Sequence, residues 1–175
     1  NKLRYFLLDN GFYEAINSPF VNLDAQDAIK VDNPLDSSRK FLRTNITNSL
    51  IENLLFNERR QKDSIKLFEI SDIYTFNNGI DKKRKLSLIA SGRVGLNYEE
   101  FSKKINKKYI TGLFEKILPN EVFDIQNLSR DKLKTKINDE IVILEVDMDK
   151  FSEDILCYKE TSKPPEKFNQ YISIS

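Results

Sequence analysis

The sequence predicts an α+β domain in which helices flank an antiparallel β-sheet. Residues 44–60 place apolar side chains at helical spacing, and residues 65–76 alternate apolar and polar side chains as a strand does. A turn at Asn77-Asn78-Gly79 and a second strand at 86–91 follow, so the two strands are expected to pair as a hairpin. The chain has 175 residues, of which 39% are hydrophobic, and this is enough to bury one core.

Further elements are predicted on both sides of this unit. Residues 2–9 have apolar side chains at helical spacing, and Asn10-Gly11 follows, where glycine allows the left-handed conformation that ends a helix. A long helix is predicted at 98–118, because apolar side chains recur every three or four positions and Pro119 stops it. The other predicted elements are extended segments at 12–21 and 28–31, a helix at 129–136, a strand at 140–146 and a short helix from Met148.

The composition excludes several classes of function. The chain contains no histidine, which removes Ser-His-Asp, Cys-His and histidine-metal chemistry, and its five glycines form no phosphate-binding loop. The 28 basic and 27 acidic side chains nearly cancel, so no overall field attracts nucleic acid or a membrane. The single cysteine, Cys157, cannot form an internal disulfide, and no apolar run approaches the roughly 20 residues that span a bilayer. These features favour a cytoplasmic protein.

Two groups of basic residues offer an alternative function as a nucleic-acid (tRNA) binding module. One group is Lys82 to Lys85 at the tip of the predicted hairpin, and the other is the face of the predicted helix that carries lysines 103, 104, 107 and 108. Lysine clusters can contact phosphate backbones. A solvated tip and a solvated helix face are favoured instead, because the net charge is near zero and no aromatic side chains are interleaved.

Charged residues near the predicted sheet have two interpretations each. Glu145, Asp147 and Asp149 could hold magnesium, but a solvated strand end is favoured. Arg43 either binds a carboxylate or phosphate through its planar fork, or anchors the start of the following helix by pairing with an acid, and the sequence leaves both open. Glu69 could be a buried acid in a cleft, although a position on the solvated face of a half-exposed sheet is favoured.

Five segments of the chain, taken in order, resemble the synthetase-like core of the beta subunit of bacterial phenylalanyl-tRNA synthetase. These segments are Gly11-Phe12-x-Glu14, Asn33-Pro34-Leu35, Leu42-Arg43-Thr44, Leu67-Phe68-Glu69-Ile70 and 142–147. Ser91-Gly92 also fits the second hairpin strand of the family. None of the segments is specific alone, so their order and spacing carry the resemblance, which covers most of the chain.

The resemblance implies the fold of a class II aminoacyl-tRNA synthetase and a role in assembly. The opening helix and strand correspond to the first class II motif, which builds subunit interfaces, and the interface residues expected here are Leu3, Tyr5, Phe6 and Phe12. The expected partner is the alpha subunit, in a heterotetramer of two alpha and two beta chains that reaches tRNA(Phe) as a complex. Residues 1–158 are expected to form the core domain, and 159–175 a linker toward an anticodon-binding module outside this excised segment.

The resemblance also implies that this chain does not catalyse adenylation. A working class II site needs an arginine on the strand of the second motif, because the developing phosphate charge must be neutralised. The matching segment 68–74 contains no arginine, and the third motif, a Gly-x-Gly-x-x-Arg-like element, is missing. No catalytic, cofactor-binding or metal-binding residue is therefore expected, and ATP and magnesium are assigned to the parent complex. The enzyme alternative, an ATP-dependent carboxylate-activating protein, would need those arginines.

Overall fold

A mostly antiparallel β-sheet organises the domain. The computed structural model describes residues 2–95, 97–129, 140–152 and 156–157. Within these ranges, the helices and strands are α1 (Lys2–Asp9), β1 (Tyr13–Glu14), β2 (Phe20–Val21), β3 (Phe41–Leu42), α2 (Thr47–Arg59), β4 (Ser64–Phe76), β5 (Ile80–Gly92), α3 (Tyr98–Phe101), α4 (Lys107–Ile117), β6 (Gln126–Leu128), β7 (Ile141–Asp147) and a 3₁₀ helix (Met148–Lys150).

The described strands form one sheet in the order β1-β4-β5-β7-β6 and a separate β2-β3 ribbon. β1 is parallel to β4, and the other pairs in the sheet are antiparallel. The register places Glu69 of β4 opposite Ser87 of β5, and Ser87 opposite Glu145 of β7. Three polar side chains therefore form a row across the centre of the sheet, on one of its faces.

Alternation along the strands sends apolar side chains to both faces of the sheet. Leu67 and Ile73 of β4 belong to a core cluster that also contains Leu50 and Leu54 of α2. Phe68 of β4 belongs to a second cluster, which is formed with apolar residues of α1 and α4. The sheet is thus covered by α2 on one face and by α1 and α4 on the other, and the polar row lies on the α2 face.

The central unit agrees with the sequence prediction. α2 and the β4-β5 hairpin are confirmed, although both strands of the hairpin extend to 13 residues and β5 begins earlier than predicted. The turn has Asn78 at a φ of 55°, a value that asparagine tolerates better than most residues. α1 and the strand at 141–147 are confirmed, and Gly11 follows α1 with a φ of +81°.

The prediction of one helix at 98–118 is wrong. α3 ends at Phe101, and α4 begins only at Lys107. Between them Ile105 N donates to Gly92 O at 2.8 Å, so this stretch runs against the end of β5. Asn106 then caps α4 by accepting a hydrogen bond from Tyr109 N at 2.9 Å.

Smaller differences concern the short segments. In place of the predicted strand at 28–31, the structure has an isolated bridge between Lys30 and Phe41. The predicted extended segment 12–21 contains the two short strands β1 and β2. The sequence did not predict β6. The short helix from Met148 is a 3₁₀ helix. Residues 130–136 of the predicted helix and the predicted linker 159–175 lie outside the described residues, so the domain boundary at 158 stays a prediction.

Candidate functional site

A buried ionic network joins α2 to the α2 face of the sheet. Arg43 Nη2 lies 2.8 Å from Glu69 Oε1, and the two side chains are 4% and 2% exposed. Asn17 Nδ2 donates to Glu69 Oε2 at 2.7 Å, and Ser71 Oγ donates to Oε1 at 2.9 Å. Asn53 Nδ2 of α2 donates to Asn17 Oδ1 at 3.0 Å. We call these five residues the Arg43 network. Its hydrogen bonds and its ion pair compensate the Glu69 carboxylate for the loss of contact with water.

The Arg43 network resolves two alternatives that the sequence left open. Arg43, which precedes α2, pairs with the acid Glu69, as the anchoring interpretation requires. Its backbone is also held in place, because Arg43 N donates to Pro19 O at 2.8 Å and Tyr74 N donates to Arg43 O at 3.2 Å. The favoured prediction of a solvated Glu69 is wrong, since Glu69 is buried and its carboxylate contacts Arg43, Asn17 and Ser71. A signal was present: Glu69 shares its strand face with the apolar Leu67 and Ile73, which favours burial.

A second carboxylate of the polar row caps α2. Glu145 Oε2 accepts hydrogen bonds from Ile46 N at 3.0 Å, Thr47 N at 3.0 Å and Thr47 Oγ1 at 2.7 Å. Its negative charge thus lies at the positive end of the helix dipole. The other oxygen, Oε1, lies 3.6 Å from Lys85 Nζ, which is also 3.6 Å from Asp147 Oδ1. Glu145 is therefore a helix cap at a partly buried position and not part of a solvated strand end.

The α2 face of the sheet does not fit ATP or magnesium. Glu69 and Glu145 would repel a triphosphate, and the guanidinium of Arg43 is already paired with Glu69. β4 contains no arginine. Among the described residues, no group of three or more histidine, cysteine or carboxylate side chains could hold a metal ion. The carboxylates of the polar row make contacts that hold α2 and Arg43 in place.

A cavity of about 600 Å³ opens between the β2-β3 ribbon and α2. Its lining includes Arg43 together with Arg39, Asn48, Phe20 and Leu23. Nε and Nη1 of Arg43 are buried and have no hydrogen-bond partner among the residues that the structure describes. The lining of the cavity thus contains both cationic and apolar residues.

The structure places three of the four predicted interface residues in the core of the domain. Leu3, Phe6 and Phe12 are buried in the cluster that α1 and α4 form with the sheet. The burial of Leu3 and Phe6 follows from the apolar stripe of α1, which must face the sheet. These three are not available to a partner while the domain is folded, whereas Tyr5 is 47% exposed. An interface role for Tyr5 stays a prediction.

The basic residues do not form a continuous phosphate-binding surface. In the hairpin, Lys82 Nζ and Arg84 Nη1 lie 3.3 and 3.4 Å from the carboxylate of Asp72, and Lys83 Nζ lies 3.4 Å from that of Asp81. The lysines of the second group are divided by the break between α3 and α4, because 103 and 104 lie in the connection and 107 and 108 in the first turn of α4. Acidic neighbours therefore reduce the positive charge at the hairpin tip.

Large exposed apolar side chains concentrate between β1 and β3, where sequence reasoning did not place an interface. Ile16, Phe20, Leu23 and Leu35 are exposed in this segment. Asn17 and Asn53, which complete the Arg43 network, were also missed, since neither belongs to a recognisable motif. No helix in the described part of the chain is long and apolar enough to cross a membrane.

Comparison with solved structures shows the fold. Two structures of pyrrolysyl-tRNA synthetase from Desulfitobacterium hafniense superpose with TM-scores of 0.58 and 0.59 at 17% and 16% sequence identity. Each comparison covers 85% of this chain, and 64% and 65% of the synthetase chains. The α+β architecture predicted from the sequence is therefore that of the class II aminoacyl-tRNA synthetases.

Comparison with sequences shows the family. The phenylalanine-tRNA ligase beta subunit of Mycoplasma mycoides subsp. mycoides SC is 29% identical over 146 residues, which are 77% of this chain and 17% of that subunit. The corresponding subunit of Coxiella burnetii is 36% identical over 76 residues, 39% of this chain and 10% of that subunit. The chain thus spans less than a fifth of the length of these relatives. The model of the phenylalanyl tRNA synthetase beta chain CLM domain matches residues 1–137. On this match the chain belongs to the family of phenylalanyl-tRNA synthetase beta chain CLM domains.

Proposed function

We propose that this domain is a non-catalytic, partner-binding part of a phenylalanine-tRNA ligase. It binds the alpha subunit in a cytoplasmic complex of two alpha and two beta chains, and that complex charges tRNA(Phe). ATP and magnesium act in the complex at the alpha subunit. The observation that supports the proposal is the Arg43 network, because the buried cation beside β4 is already paired with Glu69.

The argument against catalysis rests on charge. When an amino-acid carboxylate attacks the α-phosphorus of ATP, pyrophosphate leaves and negative charge develops on the phosphates. An enzyme stabilises this charge with preorganised donors. On the α2 face, the Arg43 guanidinium pairs with Glu69 at 2.8 Å, and the Arg43 side chain is 4% exposed. Glu145 directs its oxygen at the backbone of α2. Both ionic groups stabilise the fold, and neither is available to a substrate.

The argument for partner binding rests on the surface. Tyr5 is exposed on α1, which the resemblance assigns to a subunit interface, and further apolar residues are exposed in the segment between β1 and β3. Exposed apolar side chains of this size are typical of protein contacts, and tyrosine is frequent among the residues that contribute most to affinity. The names of the relatives, which are beta subunits, support an alpha subunit as the partner.

The interface is tested with Tyr5→Ala in the full-length chain, and Tyr98→Ala is the matched control. Tyr98 is almost fully exposed on α3. We expect Tyr5→Ala to raise the Kd for the alpha subunit about tenfold, which corresponds to about 1.4 kcal/mol, and Tyr98→Ala to leave it unchanged. Circular dichroism verifies that both variants are folded. An unchanged Kd for Tyr5→Ala would remove α1 from the interface.

The absence of catalysis is tested by pyrophosphate exchange. The full-length chain alone should give no phenylalanine-dependent exchange between ATP and pyrophosphate, and addition of the alpha subunit should produce it. Exchange by the chain alone would contradict the proposal and favour the enzyme alternative.

A further inference from the structure

The dipeptide Asn-Gly occurs twice in the chain, at Asn10-Gly11 and at Asn78-Gly79. In this dipeptide the backbone N of glycine can attack the side-chain amide carbon of asparagine, because glycine has no Cβ that hinders the approach. The N–Cγ bond forms as the glycine N–H loses its proton, and the side-chain amino group takes up a proton and leaves as ammonia. Water then opens the resulting five-membered succinimide at either carbonyl and gives aspartate or isoaspartate. Water is thus the only other reactant.

Hydrogen bonds at the end of α1 hold Asn10-Gly11 in place. Asn10 Nδ2 donates to Phe6 O at 2.8 Å, and Gly11 N donates to Leu8 O at 3.0 Å. Lys66 Nζ donates to Asn10 O at 3.2 Å, and it lies 3.5 Å from the position that a Cβ on Gly11 would occupy. Both groups that must react are therefore engaged, and attack requires that their hydrogen bonds break.

The second dipeptide, Asn78-Gly79, lies at the tip of the β4-β5 hairpin, where residues 76–80 are all exposed. A Cβ added to Gly79 would meet no atom of a non-neighbouring residue within 4 Å. The hydrogen bond of the turn runs from Asn77 N to Gly79 O at 3.0 Å and involves neither reacting group. In the part of the chain that the structure describes, the side-chain amide of Asn78 and the backbone N of Gly79 have no hydrogen-bond partner. Attack at this site therefore breaks no hydrogen bond.

We propose that Asn78-Gly79 is a site of spontaneous deamidation in the folded protein, and that Asn10-Gly11 is protected by its hydrogen bonds. The two sites have the same reacting groups, so the difference between them comes from the fold. Loss of two hydrogen bonds raises the barrier to attack at Asn10, and Asn78 should therefore react faster by about tenfold or more.

Deamidation of Asn78 changes the charge and the backbone of the hairpin tip. It places a carboxylate on a strand connection that is followed by Lys82 and Lys83. Isoaspartate also adds one carbon to the backbone between Phe76 and Ile80, which form the last pair of the hairpin register. The buried part of β5 begins only at Leu86, so the change is confined to the tip and the core stays folded.

Peptide mass spectrometry on the full-length chain tests the proposal, because deamidation raises the mass of a peptide by one unit. The chain is incubated in mildly alkaline buffer, and conversion is followed at both sites. In the folded chain, Asn78 should convert at least about tenfold faster than Asn10. In guanidinium chloride, which unfolds α1, the two sites should convert at similar rates. Gly79→Ala hinders attack at Asn78 only, so it should slow conversion there and leave Asn10 unchanged.

Thermal unfolding verifies that Gly79→Ala is folded. Equal rates at the two sites in the folded chain would overturn the proposal. Conversion of Asn78 in guanidinium chloride but not in the folded chain would also overturn it. The deamidated chain should unfold at the same Tm as the unmodified chain, and a lower Tm would contradict a change confined to the hairpin tip.

Discussion

Replacement of Glu69 by leucine tests the Arg43 network. The carboxylate accepts hydrogen bonds from Asn17 and Ser71 and pairs with Arg43 at 2.8 Å, and its side chain is only 2% exposed. Leucine removes all three interactions and leaves the guanidinium buried without its counter-charge. Loss of one partner of a buried ion pair costs about 3 to 5 kcal/mol, so Glu69→Leu should lower the free energy of unfolding by about that amount.

Two companion variants show whether the loss of stability in Glu69→Leu comes from the uncompensated charge of Arg43. In Arg43→Met/Glu69→Leu no uncompensated charge remains, so most of the stability should return, because an apolar pair of similar volume is often as stable as a buried ion pair. Asp72→Asn removes an ion pair from the same strand, but its partners Lys82 and Arg84 are more than half exposed. An exposed pair contributes about 0 to 1 kcal/mol.

Urea denaturation followed by circular dichroism measures these free energies, provided that the dependence on urea concentration is the same for all variants. A loss for Glu69→Leu no larger than that for Asp72→Asn would refute the burial argument. A double variant less stable than Glu69→Leu alone would show that Arg43 contributes through contacts other than its pairing with Glu69.

Three further outcomes are expected. Glu145→Ala removes the acceptor for the first turn of α2 and should cost about 1 to 2 kcal/mol of unfolding free energy, whereas Glu145→Gln should cost less. Gly92→Ala should lower the free energy of unfolding by about 2 kcal/mol or more, because φ is +92° and the new Cβ would overlap Asp63 O. Gly112→Ala in α4, where an added Cβ meets no other atom, should raise it by about 1 kcal/mol. Urea denaturation measures both changes. Burial, and to a smaller extent the Glu100 carboxylate, raise the pKa of Tyr109 above its usual 10.0. The neutral phenol therefore contributes to the free energy of unfolding below about pH 10, and this contribution is lost as the pH rises through the pKa of the folded state. Tyr109→Phe should therefore flatten the fall in unfolding free energy above pH 10, and a parallel fall in both proteins would contradict this.

The sequence predicts the parts of the fold that local pattern controls. The stripe of α2 and the alternation in β4 are set by which side chains must face the core, and the Asn77-Asn78-Gly79 turn joins strands that are adjacent in sequence. The prediction of one helix at 98–118 from helical spacing was wrong. The residues of α3 and α4 both follow that spacing, but the chain between them pairs with the end of β5. The asparagines that cap the two helices, Asn97 and Asn106, were the local signal of that break.

The candidate site depends on contacts between distant residues, and local pattern does not reveal these. Glu145 caps a helix that begins 98 positions earlier in the chain. The sequence indicated that Arg43 could pair with an acid, but Asn17 and Asn53 acquire their role only when α2 packs on the sheet. Leu3 and Phe6, which the resemblance assigned to an interface, lie in the core of this structure, where the apolar stripe of α1 packs.

Light scattering on a mixture of the full-length chain and the matching alpha subunit tests the central claim most directly. The proposed function predicts a complex with the mass of two alpha and two beta chains, in which phenylalanine-dependent pyrophosphate exchange occurs only when the alpha subunit is present. Separate elution of the two folded proteins, or exchange by the beta chain alone, would contradict the account.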